Sequence, residues 1–246
     1  MTPDRETPPS RKVTGVADIV FLVDVTGSMQ PCIDDLKGNI AAFLQELSSP
    51  QEDGAPVRDW RARVVGYRDY EYDDAPPLEA FPFVRDEASL GAQLDALEAK
   101  GGGDEEESLL DALYWVATTG CTASGEEAPD RWRARSEAAR IVTVFTDAPY
   151  KDVMSLPEAR GGTFDDVANA CMAERIILSL FAPDMPCHDR LSQIDKSEYR
   201  PIPYDLGDEY GPQKALAAFT SQREAFRHTL MQLARSVSRS AETPVL

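Results

Sequence analysis

The sequence predicts an α/β fold, with a largely parallel central sheet between layers of helices. Continuous apolar runs such as "ADIVFLVD" (17–24) and "RIVTVFTD" (140–147) are typical of strands that are covered on both faces. Between such runs, apolar residues recur at three- and four-residue steps, as they do over 29–47, which is typical of amphipathic helices. Strands that alternate with helices indicate a parallel sheet.

The remaining elements follow the same alternation. The composition predicts further strands over 61–67, 78–84, 175–183 and, more weakly, 199–206, and Pro82 makes the second of these an edge strand. Helices are expected over 86–100, after the glycine loop 101–108, and around 163–174. One last helix is expected to carry the apolar stripe of Phe219, Phe226, Leu230, Leu233 and Val237.

The domain organisation is expected to be simple. Residues 1–16 are rich in proline and charge and predict a flexible tail, residues 17–237 predict one domain, and residues 238–246 predict a second tail. Segments 121–132 and 150–162 interrupt the alternation, and long loops of this kind are more often functional or mobile than structural.

Composition argues against several classes of function. The 246 residues carry a formal net charge of −18, which disfavours nucleic acid and anionic lipid as partners. No apolar run has the length of a membrane span, and the first residues lack the apolar centre of a secretory signal, so we expect a cytoplasmic protein. Two histidines and four cysteines without a CxxC pair leave little for zinc.

Polar side chains cluster in three loops that are expected at the carboxyl ends of strands, where open parallel sheets bind ligands. The first loop, "DVTGSM", carries Asp24, Thr26 and Ser28 on alternate positions; the others carry Asp104 and Asp147. A set of carboxylate and hydroxyl oxygens suits a hard divalent cation, Mg²⁺ first and Mn²⁺ or Ca²⁺ next.

Each loop also has a purely structural interpretation. Thr26 or Ser28 alone is compatible with an N-cap of the following helix, and Asp104 with the three glutamates after it is compatible with an acidic first helical turn. The three loops together favour the metal site, because one sheet would bring them to the same edge.

Four motifs, "DIVFLVDVTGSM", "RVVGYRDY", "GGGDEEES" and "RIVTVFTDAPYKD", together resemble the von Willebrand factor type A domain over roughly residues 16–237. The resemblance implies a Rossmann-like, doubly wound fold with one divalent cation in a metal-ion-dependent adhesion site. By resemblance, Asp24, Thr26 and Ser28 fill its DxSxS positions and Asp147 fills the aspartate of the late loop.

The middle loop departs from the pattern of many members of this family. Many of them place a threonine there, whereas this chain has Asp104 after three glycines, as one branch of the family does. Either Asp104 binds the cation directly, or Ser108 or a water takes the place of the threonine and Asp104 lies one shell further out. For Arg68 and Asp69, after the second strand, an internal ion pair between loops is expected rather than ligation.

The resemblance implies a non-catalytic module that binds a partner protein over the cation, in an intracellular assembly or signalling system, with the partner donating an Asp or Glu carboxylate. No catalytic residue is expected. One alternative is a phosphoryl-transfer enzyme similar to the haloacid dehalogenases, with Asp24 as nucleophile, Asp147 and Asp152 as the late acidic pair and Lys100 as the lysine. A scaffold with a purely structural metal is another.

Overall fold

The computed structural model describes residues 15–49, 56–72, 78–102 and 105–240, and these form a mixed α/β fold around one six-stranded sheet. The strands lie in the order β3-β2-β1-β4-β5-β6, and all neighbours are parallel except the edge pair β2 and β3. The strands are β1 (Val16–Asp24), β2 (Asp59–Tyr67), β3 (Leu78–Ala80), β4 (Ala139–Phe145), β5 (Ile176–Pro183) and β6 (Ser197–Ile202). The predicted Rossmann-like fold class is therefore confirmed.

The helices cover both faces of the sheet. They are α1 (Gln30–Leu47), α2 (Glu87–Ala96), α3 (Leu109–Thr118), α4 (Phe164–Ala173), α5 (Pro186–Leu191), α6 (Gly211–Ser221) and α7 (Arg223–Ser240). One core cluster contains buried side chains of α1, α2, α6 and α7, and the other contains those of α3, α4 and α5. None of the described helices is long and apolar enough to cross a membrane.

Strand β1 is the centre of this arrangement. It pairs with β2 on one side and β4 on the other, and alternate residues face the two cores, with Phe21 in the first cluster and Leu22 in the second. A strand that is covered on both faces needs apolar residues at nearly every position, which is why the run 17–24 is almost continuous.

Two features of the fold differ from the sequence prediction. The last helix is two helices, α6 and α7, which are separated at Gln222, where the backbone leaves the helical region (φ −77°, ψ 71°). Helix α5 was not predicted, because its six residues are too few to show a helical period. The edge strand was predicted correctly, although regular pairing ends at Ala80, before Pro82.

The insertion 121–132 is held against the sheet by buried groups. The Arg61 guanidinium donates to the carbonyl oxygens of Ala128 (2.8 Å) and Arg131 (2.6 Å). Trp132 is fully buried, and its indole N–H donates to the carbonyl of Val116 on α3 (2.9 Å). These contacts give this insertion a structural role.

Candidate metal centre

The first and last loops of the predicted site meet at one edge of the sheet. Asp24 is the last residue of β1, and Asp147 follows the end of the neighbouring parallel strand β4 by two residues. Both carboxylates are buried, with 0% and 1% of their residue surfaces exposed. Because β1 and β4 are adjacent and parallel, with Val23 beside Phe145, both aspartates lie at the same edge of the sheet, where the charge of Asp147 raises the pKa of Asp24.

Asp24 is fixed by hydroxyls and by its own loop. Its Oδ1 accepts hydrogen bonds from the backbone N–H of Thr26 (2.9 Å) and from the Thr26 hydroxyl (2.7 Å). Its Oδ2 accepts from the hydroxyl of Thr146 at 2.9 Å. The carboxylate therefore has a fixed orientation at the end of the strand.

Neither hydroxyl of the first loop caps a helix. A 3-10 helix (Gly27–Met29) begins directly after Thr26, and α1 follows it, yet the side chains at the two N-cap positions, Thr26 and Met29, make no cap hydrogen bond. Thr26 is 4% exposed, whereas Ser28 is exposed to solvent. The capping interpretation of these hydroxyls is therefore wrong, and Ser28 lies at the open side of the site.

Of the two described carboxylates of the site, that of Asp147 is the less compensated. Both of its oxygens are buried, and neither has a hydrogen-bond partner of ordinary geometry among the described residues. The Ser28 hydroxyl nevertheless lies close enough to favour the ionised form and so acts to lower the pKa of Asp147. Native proteins leave few buried polar atoms unpaired, so such a pair of oxygens indicates an absent ligand, ion or water.

Burial dominates the electrostatics of both carboxylates. Loss of solvation raises the pKa of Asp24, the charge of Asp147 raises it further, and the hydrogen bonds from Thr26 and Thr146 oppose this rise. Loss of solvation also raises the pKa of Asp147, against the effect of Ser28. Two buried carboxylates with few compensating donors favour a cation between them.

Asp104 lies outside the described residues, so its place relative to the cation remains a prediction. The described part of its loop does approach the first loop: the carbonyl of Gly101 accepts from the N–H of Gly27 (3.3 Å), and the N–H of Lys100 donates to the carbonyl of Val25 (2.9 Å). Gly102 has a left-handed backbone (φ 88°) and lies beside the Thr26 side chain. The two loops are thus in contact as far as Gly102.

Ser108, considered above for the threonine position, contacts the loop that follows β2. Its hydroxyl accepts from the N–H of Tyr70 (2.9 Å) and lies 3.4 Å from a carboxylate oxygen of Asp69. Glu105, Glu106 and Glu107 precede α3, whose first residue is Leu109. These three glutamates therefore do not form the first turn of that helix.

Arg68 and Asp69 hold neighbouring loops together. Asp69 is fully buried, and its carboxylate accepts from the Lys151 ammonium at 2.7 Å. Arg68 donates to the carbonyl oxygens of Glu98 (2.7 Å) and Lys100 (3.2 Å). The expected ion pair between loops is confirmed for Asp69, and its partner is Lys151.

Three residues at this edge escaped the sequence prediction. The Thr146 hydroxyl donates to Asp24. Tyr67 is fully buried, and its hydroxyl lies near Thr146 and Asp24. The buried carboxylate of Glu107 is near enough to raise the pKa of Tyr67. Thr146 directly precedes Asp147, and Tyr67 ends a strand, so their positions in the sequence were the only available signal.

The described residues contain no group of three or more His, Cys, Asp or Glu side chains arranged to hold a metal ion. What they offer is two buried carboxylates, a buried threonine hydroxyl and an exposed serine hydroxyl. These oxygens fit a hard cation that keeps several waters, as Mg²⁺ usually does.

Comparison with protein-family models and with characterised proteins gives no match. Among solved structures, the chain is similar to proximal thread matrix protein 1 from the mussel byssus, with 16% identity and a TM-score of 0.48. It is also similar to the pilus adhesin SpaC from Lactobacillus rhamnosus GG, with 10% identity and a TM-score of 0.46. These matches cover 86% and 91% of this chain but only 48% and 32% of the other two.

Proposed function

We propose that this protein is a non-catalytic interaction module in which Asp24, Thr26, Ser28 and Asp147 hold a divalent cation, Mg²⁺ first and Mn²⁺ or Ca²⁺ next. Asp104 closes the site from the middle loop, and a partner protein docks over the cation. One observation carries the proposal: the Asp147 carboxylate is buried at the open end of the sheet, and neither oxygen has a described hydrogen-bond partner.

The energetics of burial support a cation at this place. An ionised carboxylate away from water is strongly unfavourable unless it is paired or coordinates a metal. Among the described residues, Asp24 has three hydrogen-bond donors, whereas only the nearby Ser28 hydroxyl and the backbone N–H of Asp147 itself act to favour the ionised form of Asp147. A dication between the two carboxylates would compensate both.

The open side of the site supports a docking role. Ser28 is exposed, so a ligand on that side is within reach of another molecule. The resemblance of the four sequence motifs to the von Willebrand factor type A domain suggests that a partner's Asp or Glu completes the coordination. The acidic residues around the site, such as Glu71 and Glu105, would attract a basic rim on that partner. We place the module in an intracellular assembly or signalling system.

Local geometry disfavours the phosphoryl-transfer alternative. Both oxygens of Asp24 accept hydrogen bonds, and the helical chain begins at Gly27, which leaves no room for the flap that usually follows the nucleophile. Lys100, which would be the lysine of such an enzyme, forms an exposed ion pair with Glu98, with 2.8 Å between its ammonium and the carboxylate.

Isothermal calorimetry and thermal unfolding with Mg²⁺, Mn²⁺ and Ca²⁺ test the cation. We expect metal to stabilise the wild type, by roughly 2.7 kcal/mol at about 100 times Kd. Asp147→Asn should abolish this gain and should make the metal-free protein more stable, because it neutralises a buried carboxylate with little compensation. Asp152→Asn is the matched control, since Asp152 is exposed in the same loop, and it should behave like the wild type.

Absence of metal binding in the wild type would exclude the proposed site. A purely structural metal would stabilise the protein, but partner capture would be the same with and without chelator. Hydrolysis of an aryl phosphate that disappears in Asp24→Asn would instead favour the enzyme.

A further inference from the structure

A second candidate site lies away from the proposed metal centre, beside the β2–β3 edge of the sheet. A cavity of about 520 Å³ opens there between the edge segment 80–82, helix α3 and the loop at 130–131. Arg63 of β2 lines the cavity, and its residue surface is only 1% exposed. The volume is within the usual range for sites that bind small molecules.

The Arg63 guanidinium has unused hydrogen-bond donors. Its Nη1 makes one long hydrogen bond to the carbonyl oxygen of Asp130 (3.3 Å), while Nε and Nη2 are buried and have no hydrogen-bond partner among the described residues. Burial is the main cause that lowers the pKa of Arg63 to about 10, so the group stays protonated at neutral pH. The wall of the cavity therefore contains a buried positive charge, two of whose donors have no partner among the described residues.

The other buried arginines show how unusual this is. Each of them forms an ion pair with a described carboxylate: Arg61 and Arg133 pair with Asp18, Arg140 with Glu174, and Arg68 with Glu79. None of the Arg63 nitrogens bonds a carboxylate among the residues that the structure describes. In a chain of net charge −18, an anion is the expected partner of such a group.

The surroundings of Arg63 select the kind of anion. Its guanidinium lies 4.6 Å from the ring centre of Phe83 and 5.5 Å from that of Trp115, and Phe81 and Pro82 add apolar surface to the cavity. A planar guanidinium fork matches a carboxylate, and aromatic walls match an apolar body. Arg131 also lines the cavity, but the adjacent Asp130 offsets its charge, and with the overall negative charge this disfavours a dianion such as phosphate.

We propose that this cavity is a binding site for a small organic monocarboxylate with an aromatic or apolar body, and that Arg63 pairs with its carboxylate while Trp115 packs against the body. The proposal is independent of the metal centre, because it uses none of the residues in that site.

Benzoate is the probe, and benzyl alcohol is a neutral analogue that lacks the carboxylate. Binding is followed in ¹H–¹⁵N spectra through the indole N–H of Trp115 and by calorimetry. We expect benzoate to shift this signal saturably, and we expect benzyl alcohol and inorganic phosphate to bind about tenfold more weakly or worse, because each lacks one of the matching features.

Two variants and a control separate the site from general apolar binding. Arg63→Met removes the charge, and Ala80→Phe fills the cavity mouth from an exposed position without altering Arg63. Both should weaken benzoate by about tenfold or more, whereas Ala92→Phe, at an exposed position of α2, should leave it unchanged. If Arg63→Met fails to fold, Ala80→Phe alone decides.

Three results would overturn the proposal. The first is that benzoate does not bind saturably. The second is that Ala80→Phe does not weaken benzoate binding. The third is that benzyl alcohol or phosphate binds as tightly as benzoate.

Discussion

Asp18 is predicted to be the most important single ionic group for stability. It is fully buried on β1, and its carboxylate accepts four hydrogen bonds of 2.8–2.9 Å. Three come from the guanidinium groups of Arg61 and Arg133, and one comes from the backbone N–H of Arg133. Arg61 also donates to two carbonyls of the insertion 121–132, and Arg133 donates to the carbonyl of Ala17 on β1. Asp18 therefore connects β1, β2 and this insertion.

The substitution Asp18→Asn keeps the shape of the side chain but removes its charge. It leaves two buried guanidinium groups with a neutral amide, and breaking a buried pair in this way costs about 3–5 kcal/mol. For a chain of this size, such a loss lowers Tm by roughly 6–20 °C. Because the pair is buried, 1 M salt should change the difference little.

Urea unfolding of the wild type and the variant measures this loss, provided that both show the same m value. Asp95→Asn is the matched control: its side chain is 74% exposed and lies 3.4 Å from Lys37, so the change in stability should stay within about 0.5 kcal/mol. A loss below about 1 kcal/mol in Asp18→Asn would refute the reasoning, because it would show that the two arginines find other partners at little cost.

Three further predictions concern the loops, the pH dependence and the thiols. Asp111 is buried on α3 and accepts hydrogen bonds from two backbone N–H groups of the loop 150–162. Asp111→Ala should therefore lower the free energy of unfolding by about 1–3 kcal/mol and speed amide hydrogen exchange in that loop, as measured by mass spectrometry. Unchanged exchange would contradict this role. Because the pKa of Asp147 is raised in the native state, this state binds more protons than the unfolded state between the ordinary pKa of about 4 and the raised value. Metal-free stability should therefore fall as pH rises through this range, and Asp147→Asn should reduce this fall in urea titrations. Cys121 is exposed, whereas Cys32 is 1% exposed, and burial raises the pKa of the Cys32 thiol. A disulfide reagent should therefore modify Cys121 first in the native protein. Equal rates of modification would contradict the burial of Cys32.

The sequence predicted the sheet well because each strand carries its own local signal. The run 17–24 is apolar at nearly every position, and the observed strand β1 (Val16–Asp24) differs by one residue. The break between α6 and α7 was missed because the apolar stripe continues past Gln222 without a glycine or proline to mark the end of a helix. Tertiary packing, and not local propensity, decides such a break.

The proximity of Asp24 and Asp147 was also predictable, because the ends of adjacent parallel strands meet. The hydrogen bond from Thr146 to Asp24 was not, since it joins residues 122 positions apart and depends on side-chain orientation. The same limit applies to Asp18: its partner Arg133 lies 115 positions away, so the sequence shows a charge inside an apolar strand but not what compensates it.

The two ends of β1 each carry a buried aspartate, but the groups that compensate its charge differ between the two ends. At the amino end, the Asp18 carboxylate accepts four hydrogen bonds, three of them from guanidinium groups, so the fold itself compensates its charge. At the carboxyl end, Asp24 has three donors, none of which carries a positive charge, and it faces a second buried carboxylate, Asp147. Burial has a similar cost at both ends, and at the carboxyl end it is relieved either by protonation, which the raised pKa of Asp24 and Asp147 favours, or by a cation as proposed. This contrast within one strand is the physical reason to place a cation at the carboxyl end and a structural role at the amino end.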